Sequence, residues 1–224
     1  MNYLQLVLAH LRKDLQLEWR SRDALGGMLF FALLVVVVFS LAFDPTASMS
    51  RQIAGGILWV ALLFASVTAL NQAWNREQRN SVLDAQRMSP SAPSALFLGK
   101  SLSNMIFVTV VELVMAPLFT VFYNLHVLGE SWLLLAVLPL GTWALVVNGT
   151  FFAALGLRTR NRELLLPLVL FPISLPALLA MVQATTAILT GDSDPGLWVK
   201  LLVGYDLIFT IICLLMFDVI LNAE

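Results

Sequence analysis

Six long apolar runs dominate this chain and leave it few ways to fold. They cover approximately Ala24–Phe43, Ile53–Trp74, Leu96–Tyr123, Ser131–Leu157, Leu164–Leu189 and Leu197–Leu221. About 20 mostly apolar residues in a helix cross a bilayer, and a helix satisfies its own backbone in hydrocarbon. The expected fold is therefore all-α and integral to the membrane, with six spans in a single transmembrane domain covering residues 1–224. Charge agrees: only 12% of the 224 residues are Asp, Glu, Lys or Arg, about half of what a soluble domain uses to solvate its surface. The fifth run carries Pro167, Pro172 and Pro176, each of which removes a backbone donor, so a kinked or broken helix is expected there.

Orientation follows from where the basic residues fall. With a cytoplasmic N-terminus, the inside segments hold Arg12, Lys13, Arg20, Arg22, Arg76, Arg79, Arg87, Lys100, Arg158, Arg160 and Arg162, and the outside holds only Arg51 and Lys200. That bias is 11 of the 13 basic residues. The outside loops Asp44–Gln52, Asn124–Glu130 and Thr190–Gly196 are too short for an external domain. The inside holds little more than the N-terminal segment, Asn75–Ala95 and the Arg158–Glu163 turn, so any soluble catalytic engine must come from another chain. A net charge of −1 gives no reason to expect nucleic acid as a partner. Cys213 is the single cysteine, which excludes disulfides, zinc clusters and c-type haem attachment. Residues 1–23 are charged and the run after them is too long for a signal h-region, so no cleavable signal peptide is expected.

Those first 23 residues read as an interfacial amphipathic helix. Tyr3, Leu4, Val7, Leu8, Leu11, Leu15 and Trp19 recur at helical spacing, while Arg12, Lys13, Asp14 and Gln16 fall largely elsewhere. Between spans two and three, Ser81 and Asp84 form an S-x-x-D capping box. A short helix is expected over Ser81–Ser89, ending before Pro90. It would present Val82, Leu83 and Met88 beneath the membrane, with Arg87 and Asp84 beside them, as a coupling helix for a cytoplasmic motor. The plainer reading of the same residues is a loop lying on the headgroups.

Other polar residues carry less. Gly99-Lys100-Ser101 imitates the end of a phosphate-binding loop, but the glycine required five residues earlier is Ser94 and no strand precedes it. Lys100 reads instead as a snorkelling interface residue. Glu112 and Asp206 lie inside spans, at depths of roughly 24 Å from the start of the third and 13 Å from the start of the sixth. Intramembrane carboxylates are costly and are usually paired or functional. Ser101, Asn104, Val108, Thr109, Glu112 and Ala116 share a helix face, as do Asp206, Thr210 and Cys213. A structural hydrogen-bonding role and a place in a transport path are both open for them. His126, in an outside loop, is a weak candidate for a haem ligand. No nucleophile–base pair or metal cluster stands out, so an intramembrane enzyme is disfavoured.

Several segments in order resemble haem exporter protein B, the membrane subunit of the ABC transporter of cytochrome c maturation. They are Gly55-Gly56-Ile57-Leu58-Trp59-Val60-Ala61, the capped segment through Asp84 to Pro90, and Val111-Glu112-Leu113 with Pro117. Further on come Arg158-Thr159-Arg160-Asn161-Arg162-Glu163 with Leu164-Leu165-Leu166-Pro167, and then Gly204-Tyr205-Asp206. The chain departs from the family pattern at Asn71-Gln72, where an acidic–basic pair is common, and at Ser81, where glycine is common. The resemblance implies a permease homodimer in the bacterial inner membrane, bound to two copies of a separate ATP-binding cassette ATPase subunit. It also implies other cytochrome c maturation membrane proteins and a haem chaperone as partners. ATP would belong to the partner subunit, and haem would be the transported or handled ligand. The implied activity is haem export or ATP-driven release of the haem-loaded chaperone. Export of lipid or drug by a permease of the same class, and a non-transporting scaffold of a haem-handling complex, are the competing readings.

The charge bias makes both termini cytoplasmic. A reporter fused after Glu224 that is active only in the periplasm is expected to stay silent, and activity there would mean an odd number of spans.

Overall fold

The computed structural model describes residues 2–43, 47–79, 92–123, 125, 131–156 and 162–222. Seven α-helices account for nearly all of them: α1 Tyr3–Ser21, α2 Asp23–Ala42, α3 Ala47–Arg79, α4 Pro93–Phe122, α5 Leu134–Gly156, α6 Arg162–Thr190 and α7 Gly196–Asn222, with a 3₁₀ turn at Ser131–Leu133. No strand occurs among the described residues. Helices α2 to α7 supply six segments long and apolar enough to cross a membrane. The chain is a multi-pass membrane protein.

The helix ends have local causes. Arg22 takes a left-handed conformation (φ 56°) between α1 and α2, and its N–H donates to the Glu18 carbonyl at 2.7 Å. That single residue turns the chain out of α1. Glu18, buried at the corner, then caps α2: its carboxylate accepts from the Ala24 and Leu25 N–H groups at 2.8 and 3.0 Å, where the helix dipole favours negative charge. Pro93 opens α4 at a position whose N–H would be unpaired anyway.

Helix α6 runs without a break through Pro167, Pro172 and Pro176, where a break was one of the two expected outcomes. Prolines are tolerated in spans where neighbouring helices offer the backbone other partners. The carbonyl left without an amide by Pro176 is that of Pro172, and one residue further on the Tyr205 hydroxyl of α7 donates to the Ile173 carbonyl at 2.9 Å. Helix α3 also continues past Trp74 to Arg79, adding about a turn that carries Glu77.

Helices α3 and α5 are the most enclosed spans. Helix α3 packs on α2, α6 and α5, and α5 on α6, α7 and α4. The core between them includes Trp59, Leu62, Leu70, Leu145 and Leu170, all essentially inaccessible. Trp59 lies with its ring against Gly141 on α5, and its Nε1 donates to Thr185 Oγ1 on α6 at 2.9 Å. Trp74 Nε1 donates to the Thr150 carbonyl at 3.1 Å. Lipid offers helices no hydrophobic drive to associate, so small residues and buried hydrogen bonds of this kind hold spans together.

A Cβ at position 141 would fall inside the Trp59 indole. Gly141→Val is expected to lower stability by about 1–3 kcal/mol through overpacking, read as a lower thermal midpoint in detergent. Trp59→Leu added to that variant is expected to recover part of the loss. A midpoint equal to the parent's would show that the ring has room to move.

Candidate functional site

Part of the charged side of α1 faces the protein, while Arg12 and Arg20 are exposed. Val7, Asp14 and Glu18 turn inward, whereas Leu4 (72% exposed), Leu8 and Trp19 (76% exposed) point away from the bundle. The apolar residues expected along one face thus divide, with Val7 packed inside and Leu4, Leu8 and Trp19 outside. In water this would be inside out. Beside a membrane it places apolar side chains in lipid and ion pairs in protein. The close approach to α4 occurs at Gly99, where a Cβ would lie 2.6 Å from His10 Cβ and 2.9 Å from the Val7 carbonyl.

Next to Gly99 is Lys100, 1% exposed although it sits within an otherwise apolar helix. Its Nζ lies 3.0 Å from Asp14 Oδ2 of α1, 3.1 Å from Glu77 Oε1 of α3, and 4.8 Å from the centre of the Trp74 ring. Lys13 completes a quartet, with its Nζ 2.5 Å from Glu77 Oε1 and 3.3 Å from Asp14 Oδ1. Two cations and two anions from three helices therefore neutralise each other, with Lys100, Glu77 and Asp14 largely enclosed and Lys13 at the edge, its side chain 34% exposed. Burial by itself would raise Asp14, but Lys100 and Lys13 outweigh it and hold its carboxyl below the ordinary value. Burial likewise works against the Lys13 ammonium, and Glu77 and Asp14 outweigh it and hold that group above its ordinary value. His10, half-buried beside them, is lowered by burial and then by the Lys13 charge. A cavity of about 80 Å³ adjoins the quartet, bordered also by Glu18 and Asn104.

Lys100 therefore does not snorkel. A cation that reaches water needs no buried carboxylates, and this one has two. Sequence reading did not single out Glu77, and it took Asp14 as part of the watered side of α1. The signal available was Lys100 itself, a charge within a span that needs a counterion from somewhere.

Of the intramembrane candidates, Asn104 borders the cavity beside the quartet, while Glu112 and Asp206 lie apart from it. Asn104 Nδ2 donates to Thr150 Oγ1 of α5 at 3.1 Å. Glu112, 7% exposed, accepts a hydrogen bond from the Thr142 hydroxyl, also of α5. Asp206, equally buried, has no hydrogen-bond partner for either carboxylate oxygen among the described residues. Its neighbours on α7 are engaged: Thr210 accepts from Trp143 Nε1 at 3.0 Å, and Tyr205 accepts from Asn148 Nδ2 at 3.0 Å. The expected coupling helix, with Ser81, Val82, Leu83, Asp84, Arg87 and Met88, lies outside the described residues, as does His126. Among the described residues no cluster of three or more His, Cys, Asp or Glu could hold a metal.

Six spans pinned by internal hydrogen bonds, with an ion quartet joining an N-terminal helix to the facing ends of α3 and α4, define a polytopic helical membrane protein with one charged end. The chain belongs to the CcmB protein family, whose model matches residues 5–220. It is 34% identical over 171 residues to Heme exporter protein B of Rhodobacter capsulatus, covering 76% of this chain and 78% of that one. With Heme exporter protein B of Pseudomonas aeruginosa the identity is 29% over 211 residues, 93% of each chain. With that of Bradyrhizobium diazoefficiens it is 28% over 205 residues, 91% of each.

Removing one member of a buried ion pair strands the others and costs about 3–5 kcal/mol. Lys100→Met is expected to lose about that much in detergent unfolding, and Glu77→Gln added to it to cost much less than the sum of the single changes. Strict additivity would mean that the two groups are not coupled. The pH dependence has two signs. Asp14 contributes above its ordinary value of 3.8, and that contribution is lost as pH falls through its lowered value. Lys13 contributes below 10.5, and that contribution is lost as pH rises through its raised value.

Proposed function

We propose that this chain is the membrane permease subunit of an ATP-binding cassette transporter serving cytochrome c maturation. Its activity is haem export or the ATP-driven release of a haem-loaded chaperone. The observation that carries this reading is the family match across residues 5–220, together with the name Heme exporter protein B borne by relatives aligned over most of their length. The chain acts as a homodimer in the bacterial inner membrane with both termini cytoplasmic. ATP is hydrolysed on a partner subunit, and other cytochrome c maturation proteins complete the assembly.

The quartet supports a mechanical role. Glu77 lies in the last turns of α3 and Lys100 in the first turns of α4, the two helices that bracket residues 80–92. Tied through Asp14 and Lys13 of α1, the two helix ends would move as one body. A motor seated on Ser81–Ser89 would then shift α1, α3 and α4 together, the rigid-body mode by which many such switches work. In this scheme Val82, Leu83 and Met88 seat the partner, and Arg87 steers it from the rim. Within the bundle, Glu112 and Asn104 act as fasteners of α4 to α5, since each already engages an α5 threonine. Asp206 is the intramembrane candidate for a functional role.

Leu83→Asp is expected to insert and dimerise normally but to lose the ATP-binding subunit on purification in mild detergent. A buried apolar anchor contributes roughly 1.5–3 kcal/mol, and such anchors carry most of an interface's binding energy. Full retention of the subunit, with cytochrome c maturation intact, would overturn the docking role of this segment.

A further inference from the structure

A second, larger concavity adjoins the first across Lys13, Leu17 and Phe107, where the interfacial helix meets the first turns of α2 and the middle of α4. It encloses about 850 Å³, within the 300–1,000 Å³ range of small-molecule sites. Its rim and its floor differ in chemistry. Arg12, Gln16 and Arg20 line it from α1 at four-residue spacing, so they form one polar row along two turns, roughly 12 Å long. Ile106 and Val110 of α4, also four apart, make a parallel apolar strip, with Leu25 of α2 beside them.

The rim is basic: it carries Arg12, Lys13 and Arg20, of which Lys13 is paired within the quartet. Neither Arg12 nor Arg20 has an ion-pair partner among the described residues. The nearby acids are committed elsewhere: Asp14 to Lys100 and Glu18 to the start of α2. Trp19, exposed on the same helix, is the residue type that sits at headgroup level.

We propose that this groove binds one anionic glycerophospholipid. Its phosphate would rest on the Arg12–Gln16–Arg20 row and an acyl chain would lie along Ile106 and Val110. The occupant is lipid and not a peptide because the apolar strip lies on the outward side of a span, where only hydrocarbon or another span would reach it. A basic pocket beside spans on the cytoplasmic side is a recurrent anionic-headgroup site. The assignment does not depend on what the transporter carries.

The test is native mass spectrometry of the full chain in mild detergent, with equimolar palmitoyl-oleoyl phosphatidylglycerol and phosphatidylethanolamine added. One arginine at an anionic headgroup contributes about fivefold in affinity, so the parent is expected to retain phosphatidylglycerol by at least about that factor. In Arg12→Gln/Arg20→Gln the ratio is expected to fall to about one, and in Arg12→Lys/Arg20→Lys to persist. Val110→Trp fills the strip on the lipid-facing side of α4 without touching a charge, and is expected to lower adducts of both lipids. An absence of preference in the parent, or an unchanged ratio in the double glutamine variant, would overturn the proposal. So would full phosphatidylglycerol retention by Val110→Trp, which would assign the lipid to the basic surface at large.

Discussion

Lys100 is a cation with nowhere to go. It sits about two turns into α4, 1% exposed, in a helix built for hydrocarbon. Stripping an ammonium of water costs several kcal/mol even after the protein relaxes, so its position dictates what surrounds it. Helix α1 brings Asp14, α3 brings Glu77, and Trp74 offers its ring face. Those carboxylates in turn need more positive charge than Lys100 supplies, which Lys13 provides. The geometry of α1 follows from this cluster. For Asp14 to reach α4 the helices must nearly touch, which Gly99 permits. With Lys13, Asp14 and Glu18 committed to protein, α1 turns Leu4, Leu8 and Trp19 outward. The Arg12–Gln16–Arg20 row is left between these two sides, facing the groove.

Further into the bundle the polar contacts are neutral or singly charged, and they work pairwise. Trp59 to Thr185 joins α3 to α6, Trp74 to Thr150 joins α3 to α5, Asn104 to Thr150 and Glu112 to Thr142 join α4 to α5, and Asn148 to Tyr205 joins α5 to α7. Helix α5 takes part in four of these five contacts, consistent with its enclosed position. Interhelical hydrogen bonds in bilayers each contribute modestly, about 0.6 kcal/mol on average. Their directionality fixes which face of each span meets which neighbour, a choice that the apolar residues leave open.

The spans were legible because they depend on one quantity, apolar length, which survives errors of a few residues at each end. Glu112 and Asp206 were legible as intramembrane carboxylates for the same reason. The quartet was not. A lysine near a span's end reads identically whether it snorkels or pairs, and the groups that decide the matter lie 23 and 86 positions away in the chain. The inverted amphipathicity of α1 adds to the difficulty. Helical periodicity separates an apolar side from a polar one but does not say which faces protein, and near a membrane the usual assignment reverses. The three prolines of α6 were visible as a weakness. The Tyr205 hydroxyl that reaches the backbone between two of them comes from another helix and left no local trace.

Under the proposed function, the quartet also bears on why a permease driven by a partner subunit would carry a helix outside its spans. Residues 80–92 connect α3 to α4, and a push on a free linker would be spent on bending it. Two helix ends pinned by ion pairs to a third helix resist that bending, because separating any two of them exposes unpaired charge in a place with little water. Such pairs resist separation steeply at short range, and as a set they carry no net charge. A purely apolar junction of the same size would tolerate sliding, since lipid tails satisfy leucine as well as leucine does. Under the proposed function, ionic fastening at the motor end and weaker hydrogen-bonded fastening deeper in the bundle put stiffness where force enters and compliance where the spans must rearrange.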